Sequence, residues 1–184
     1  MYHTNEPVTF NRNCSVTLIP NGDEVELPEG AFGYITQELG GSFTIYIEGN
    51  LFRLSGKDAD AIGKEAMIIP IIQNPKDYDH VSEIIWQQLK SCYDPEIPVN
   101  IVDLGLIYKC EVLHEKDTDE IYQVNIEMTL TAPGCGMGPI LMQDVMEKIE
   151  GLSCISNCNV ELVFDPPWNQ SMMSDEAKLQ TRML

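Results

Sequence analysis

Basic side chains are scarce in this sequence: 11 lysines and arginines stand against 29 aspartates and glutamates, for a formal net charge of −18 over 184 residues. A surface with that field repels phosphate backbones and anionic headgroups, which excludes nucleic acid and membrane surfaces as partners. Long apolar runs are missing too; a run such as Ala66 to Ile72 falls well short of a spanning helix. The start, MYHTNEPVTF, has neither a basic region nor an apolar core, so no export leader is expected and the expected location is cytoplasmic. Paired cysteines at metal-ligand spacing are absent. The six cysteines, Cys14, Cys92, Cys110, Cys135, Cys154 and Cys158, contain no CxxC, which argues for reduced thiols rather than a zinc site or a disulfide framework. Cys154 and Cys158 are four apart, but Ser156-Asn157 and the strand that follows argue for extended backbone, not ligation. The three histidines, His3, His80 and His114, form no HxH or HExxH pattern. There is no internal repeat and no low-complexity tract.

What is present divides into two modules, 1–74 and 75–184, with a boundary near Asn74 where IIPIIQNPKD brings two prolines into an apolar-to-polar transition. The first module is β-rich. Short strands from Cys14 to about Leu54 are punctuated by PNGD at Pro20 to Asp23 and by Gly40-Gly41, and Phe43 to Leu54 reads as a hairpin around Glu48 to Asn50. A short helix is expected over Lys57 to Glu65. The second module opens with a helix, because Val81, Ile84, Ile85 and Leu89 recur at helical spacing. Ile107 to Leu113 reads as a strand, and Tyr122, Val124, Ile126, Met128 and Leu130 alternate with polar residues on the next, across the acidic turn Lys116 to Glu120. After APGCGMG, Pro139 suits the first turn of a helix with an apolar face of Leu141, Val145, Met146 and Ile149, closed by Gly151. A last strand places Val160, Leu162 and Phe164 on one face, and the crossover helix makes it parallel to the one before. Ser174 caps a short terminal helix. The fold class is thus α/β (α+β): a small helix-hairpin-helix-strand sandwich domain preceded by a β-rich module.

Cys135 is the residue with chemistry to offer, because Gly134-Cys135-Gly136-Met137-Gly138 lies between a strand and a helix start. Free amides and the positive end of a helix dipole favour a thiolate, the form that ligates metal or attacks an electrophile. Flanking glycines let a metal, a cluster or a second thiol approach closely. A small buried cysteine in a tight turn is the competing reading.

Three blocks around this loop, DPEIPVNIVDLGLIY (Asp94 to Tyr108), MTLTAPGCGMGP (Met128 to Pro139) and DPPWNQSMMSDEAK (Asp165 to Lys178), resemble the signature blocks of the SufT and PaaD-like metal–sulfur cluster assembly family, in order and spacing. The resemblance covers roughly Val81 onward, and the β-rich module is similar to the extension that separates SufT from shorter members. It implies a small α/β domain, a part in maturing iron–sulfur proteins, Cys135 as the reactive cysteine, transient iron or an iron–sulfur cluster as cargo, and the assembly machinery and apo client proteins as partners. The family pattern also matches Glu96, Asp103, Thr129 and Thr131, beside Gly134 and Gly136 of the loop. Asp103, in VDLGL, either presents its carboxylate toward the cysteine loop or satisfies local amides in an Asx-turn. Thr129 and Thr131 share a strand face opposite Met128 and Leu130, as site-lining hydroxyls or as plain exposed strand residues. Glu96 in DPEIP is as easily a loop cap, and Trp168 a packing anchor.

Three function classes stay open. The first is a non-enzymatic assembly factor that holds iron, a cluster or a client through Cys135; one thiol cannot complete a cluster, so a homodimer, a small thiol or a client cysteine would supply the rest. The second is a thiol-dependent enzyme with Cys135 as nucleophile, which lacks an evident histidine base. The third is an adapter that binds no metal.

Overall fold

The computed structural model describes residues 5–66, 78–94, 97–115 and 121–181. The chain divides into two compact units, Met1–Ile68 and Ile69–Leu184, each with a hydrophobic core of its own. The boundary expected near Asn74 and the acidic turn Lys116 to Glu120 lie outside the described residues.

In the first unit, β1 (Glu6–Thr9), β2 (Cys14–Ile19), β3 (Glu24–Leu27), β4 (Phe32–Leu39), β5 (Ser42–Ile47) and β6 (Asn50–Leu54) form one antiparallel sheet in the order β1-β4-β5-β6-β2-β3. The hairpins turn where left-handed backbone is available. Gly40 and Gly41 have φ of 59° and 79°, and Glu48 and Gly49 have 48° and 91°, the sign that two-residue turns between twisted strands require. β1 is an addition to the expected strands: EPVT is short, carries a proline and buries only Val8, so it leaves no alternating signature. The helix expected over Lys57 to Glu65 is a 3₁₀ helix over Gly56–Ile62, stopped by Gly63 at φ 74°. Arg12 ties it to the sheet through Asp58 and Asp60, at 2.9 and 2.7 Å.

The second unit follows the expected order: α1 (Tyr78–Lys90), β7 (Ile107–His114), β8 (Tyr122–Met128), α2 (Gly138–Glu150), β9 (Ile155–Leu162) and α3 (Asp175–Thr181). β7 pairs antiparallel with β8, and β9 lies parallel on the other side of β8 after the α2 crossover. Alternation in β8 translates directly into burial: Tyr122, Val124, Ile126 and Met128 are all buried. Val81, Ile85 and Leu89 of α1 and Leu141, Val145 and Ile149 of α2 join the same core, each such side chain contributing about 2 kcal/mol of transfer free energy. Phe164 departs from the expected pattern. β9 ends at Leu162, so Phe164 is exposed instead of sharing the face of Val160. The Ser174 hydroxyl caps α3 by accepting from the Ala177 amide at 3.1 Å. No helix among the described residues is long and apolar enough to cross a membrane.

One charged side chain is built into this core. Lys148 is 3% exposed; its Nζ donates to the Ser91 carbonyl just beyond α1 at 2.7 Å and pairs with Asp144 at 3.1 Å. Lys148 therefore joins the end of α1 to α2. Lys148→Met keeps the volume but removes both bonds, and a loss of about 2 kcal/mol is expected. Urea denaturation checks it; an unchanged midpoint would show that Lys148 adds nothing beyond its apolar stem.

Candidate functional site

At one end of the three-stranded sheet, Ile107 opens β7 opposite Met128, the last residue of β8, and Met128 also pairs with Leu162, the last residue of β9. All three signature blocks enter or leave here. The Thr129 amide donates to the Leu106 carbonyl at 2.8 Å, and the Met128 carbonyl accepts from the Val163 amide at 2.8 Å. Block two thus lies against block one and against the end of β9 that leads into block three.

The loop after β8 is shaped by its glycines. Gly134 has φ 81°, and a Cβ there would meet nothing within 4 Å. The Cys135 amide donates to the Ala132 carbonyl at 3.3 Å, and the Gly138 amide donates to the Cys135 carbonyl at 3.1 Å. At Gly138 a Cβ would lie 2.8 Å from Leu130 Cδ1, so the absent side chain lets α2 settle onto the end of β8. α2 starts without a side-chain cap, with Pro139 in its first turn as the sequence led one to expect. Cys135 is half-buried and packs against the core; Gly134 and Gly136 on either side are exposed.

Thr129 is fully buried, and its Oγ1 is the buried side-chain polar atom left without a hydrogen-bond partner among the described residues. An orphan of this kind costs on the order of 1–3 kcal/mol. Strand alternation does not carry through to Thr131 as expected. Met128, Thr129 and Leu130 are all buried, because the chain leaves β8 after Met128 and Thr129 pairs with Leu106; Thr131 is half-buried in a bend.

The Asp103 turn is organised by a residue that sequence reasoning passed over. Asn100 Oδ1 accepts from the amides of Val102 and Asp103 at 3.1 and 2.9 Å, and its Nδ2 donates to the Asp103 carboxylate at 2.6 Å. Asn100, not Asp103, makes the Asx-turn, and NIVDLG carried that signal. Block three then clamps this turn. Trp168 Nε1 donates to the Leu104 carbonyl at 2.8 Å, the Ser174 amide donates to the Asp103 carbonyl at 2.8 Å, and Tyr108 Oη donates to the Pro166 carbonyl at 2.9 Å. Gly105, at φ 72°, lies so close to Met172 that a Cβ would fall 2.3 Å from its carbonyl oxygen. Glu96 lies outside the described residues.

The other thiols are disfavoured by their surroundings. Burial pushes Cys110 up to about 11 and Cys158, with Glu150 adding to the effect, up to about 12; it also raises Cys14 and Cys154, and Cys92 is fully buried. At pH 8 a thiol at 11 is about one part in a thousand thiolate. Alkylation of the native protein is therefore expected to label Cys135 first, read by peptide mapping; first labelling at Cys110 or Cys14 would contradict this placement. His114 stands at the far end of β7, opposite Tyr122, roughly 20 Å along the strand from the site end, and stacks on the Tyr122 ring at 4.6 Å. It offers Cys135 no base. Among the described residues no group of three or more His, Cys, Asp or Glu side chains could hold a metal ion.

Residues 82–162 match the family model described as iron–sulfur cluster assembly protein. A Fe-S protein maturation auxiliary factor of Porphyromonas gingivalis is 42% identical over 102 residues, 55% of this chain and 91% of that protein. The Fe-S protein maturation auxiliary factor YitW of Bacillus subtilis is 36% identical over 99 residues, 54% of this chain and 91% of its own length. The Fe-S protein maturation auxiliary factor SufT of Staphylococcus aureus is 38% identical over 86 residues, 47% of this chain and 91% of its own.

Proposed function

The chain belongs to the iron–sulfur cluster assembly protein family, and from that premise we propose that it is an auxiliary factor in the maturation of iron–sulfur proteins that meets cargo and clients at Cys135. What supports this is the meeting of the three blocks at one end of the β7-β8-β9 sheet, with a half-buried cysteine in the loop that block two carries there. The exposed glycines on either side leave the thiol approachable by something larger than a water molecule. As a thiolate it is a ligand for iron or a cluster carried as cargo, yet an iron–sulfur site usually takes about four protein ligands. The remaining ligands come from an apo client, from the assembly machinery, from a small thiol or from a second copy of the chain. A cargo held by one thiolate is held briefly, which suits hand-over. We assign Thr129, whose buried hydroxyl has no partner among the described residues, a hydrogen bond that forms when the site is engaged. Asp103, anchored by Asn100, keeps its carboxyl group at a fixed place in the adjoining turn.

An anaerobic titration with iron and sulfide tests this. Wild type is expected to develop a visible cluster absorbance that Cys135→Ser does not. Equal spectra from the two proteins would overturn the cargo-holding role and leave an adapter.

A further inference from the structure

The outer face of the first unit's sheet carries aromatic side chains where a solvated face would carry polar ones. Strand register puts Pro7 of β1 opposite Tyr34 of β4, Tyr34 opposite Tyr46 of β5, and Tyr46 opposite Leu51 of β6. Directly paired residues share a face, so these four form one row across four neighbouring strands. Phe32 stands two residues before Tyr34 on the same face, and the two rings meet edge to face at 5.2 Å. None of these side chains is buried: Phe32, Tyr34, Tyr46 and Leu51 are 52%, 42%, 45% and 37% exposed. Single exposed apolar residues are ordinary, but a contiguous aromatic row marks a surface that something covers.

Charge indicates what covers it. Phe32, Tyr34 and Tyr46 line a groove of about 540 Å³ in which, among the described residues, Glu48 is the one charged lining side chain. Ring faces are electron-rich and attract a guanidinium, which also stacks flat on them, and a carboxylate at the rim completes the preference for a cation. The chain as a whole carries −18, so a second copy approaching this face meets like charge, whereas a basic partner is drawn in. We propose that the aromatic row and Glu48 form a docking site for an extended, arginine-bearing segment of a partner protein. This site gives the β-rich unit a binding function of its own.

The test uses the full chain and a labelled Arg-Pro repeat peptide of about ten residues, a length that spans such a groove in extended form. Binding is followed by fluorescence anisotropy at physiological salt and mapped by amide and tyrosine-ring chemical shifts. Tyr34→Ser with Tyr46→Ser leaves the net charge untouched and is expected to weaken binding about tenfold or more, because two stacking partners are lost. Glu48→Gln, which keeps shape, should also weaken it. Glu24→Gln with Glu26→Gln removes more charge away from the row and should change affinity less than about twofold. Thermal melts confirm that each variant is folded. Shifts spread over the acidic surface, or an equal loss from the Glu24 and Glu26 pair, would show non-specific attraction and overturn the proposal. So would absence of binding, or a concentration-dependent dimer that Tyr34→Ser abolishes.

Discussion

Gly105→Ala is expected to destabilise the second unit by about 3 kcal/mol or more, the largest stability effect of any single methyl group placed in its turns. Two costs combine at this position. Gly105 has φ 72°, and the new Cβ would fall 2.3 Å from the Met172 carbonyl oxygen and 2.8 Å from its carbon. Backbone cannot swing aside as the tip of a side chain can. Relief would require the segment from Asn169 to Ser174 to lift, and that segment is held by the bonds from Trp168 to Leu104 and from Ser174 to Asp103. Gly134→Ala is the matched control. Its φ of 81° is as unfavourable to alanine, but nothing lies within 4 Å of the added Cβ, so only the conformational cost of about 1 kcal/mol applies. Guanidinium denaturation of both variants separates the two costs. Equal losses would mean that block three does not press on the Asp103 turn.

That clamp was not legible in the sequence. Gly105 announces a turn, but no spacing rule says that its α-carbon faces Met172, sixty-seven residues further along the chain. Trp168 reads as a packing anchor and is one, yet the carbonyl its indole binds appears only in three dimensions. The frame, by contrast, was legible wherever burial repeats with a regular period. β8 buries every second residue, α1 and α2 bury residues at helical spacing, and the parallel pairing of β9 follows from the helical crossover that connects it to β8. Period-based reading fails where a strand ends. At Met128 the chain changes partner from β7 to Leu106, so Thr129 turns inward with Met128 instead of outward with Thr131. In the first unit β-rich composition and turn residues marked the strands without saying which side chains face the core, and Phe32, Tyr34 and Tyr46 face solvent. The Cys135 loop was visible as GCGMG, and what the structure adds is its company. The other five thiols are buried or have their ionisation pushed up, while Cys135 stands half-buried between two exposed glycines.

The second large effect concerns function. Cys135→Ser replaces sulfur by oxygen in a loop whose backbone bonds, from Ala132 to Cys135 and from Cys135 to Gly138, do not involve the side chain. Stability should change by less than about 1 kcal/mol, while the thiol proposed to meet iron or cluster is lost. Thr129→Val separates site from scaffold in a complementary way. The hydroxyl it removes is buried without a partner among the described residues, so the variant should be as stable as wild type or more so, and any loss of function then belongs to the site. The decisive measurement is the activity of an iron–sulfur client enzyme in cells that lack the native chain, complemented by wild type, Cys135→Ser or Thr129→Val at equal protein levels. Wild type should restore client activity, Cys135→Ser should leave it near the level of the deletion, and Thr129→Val should fall between them; full restoration by a folded Cys135→Ser would contradict the assignment of the loop as the functional site.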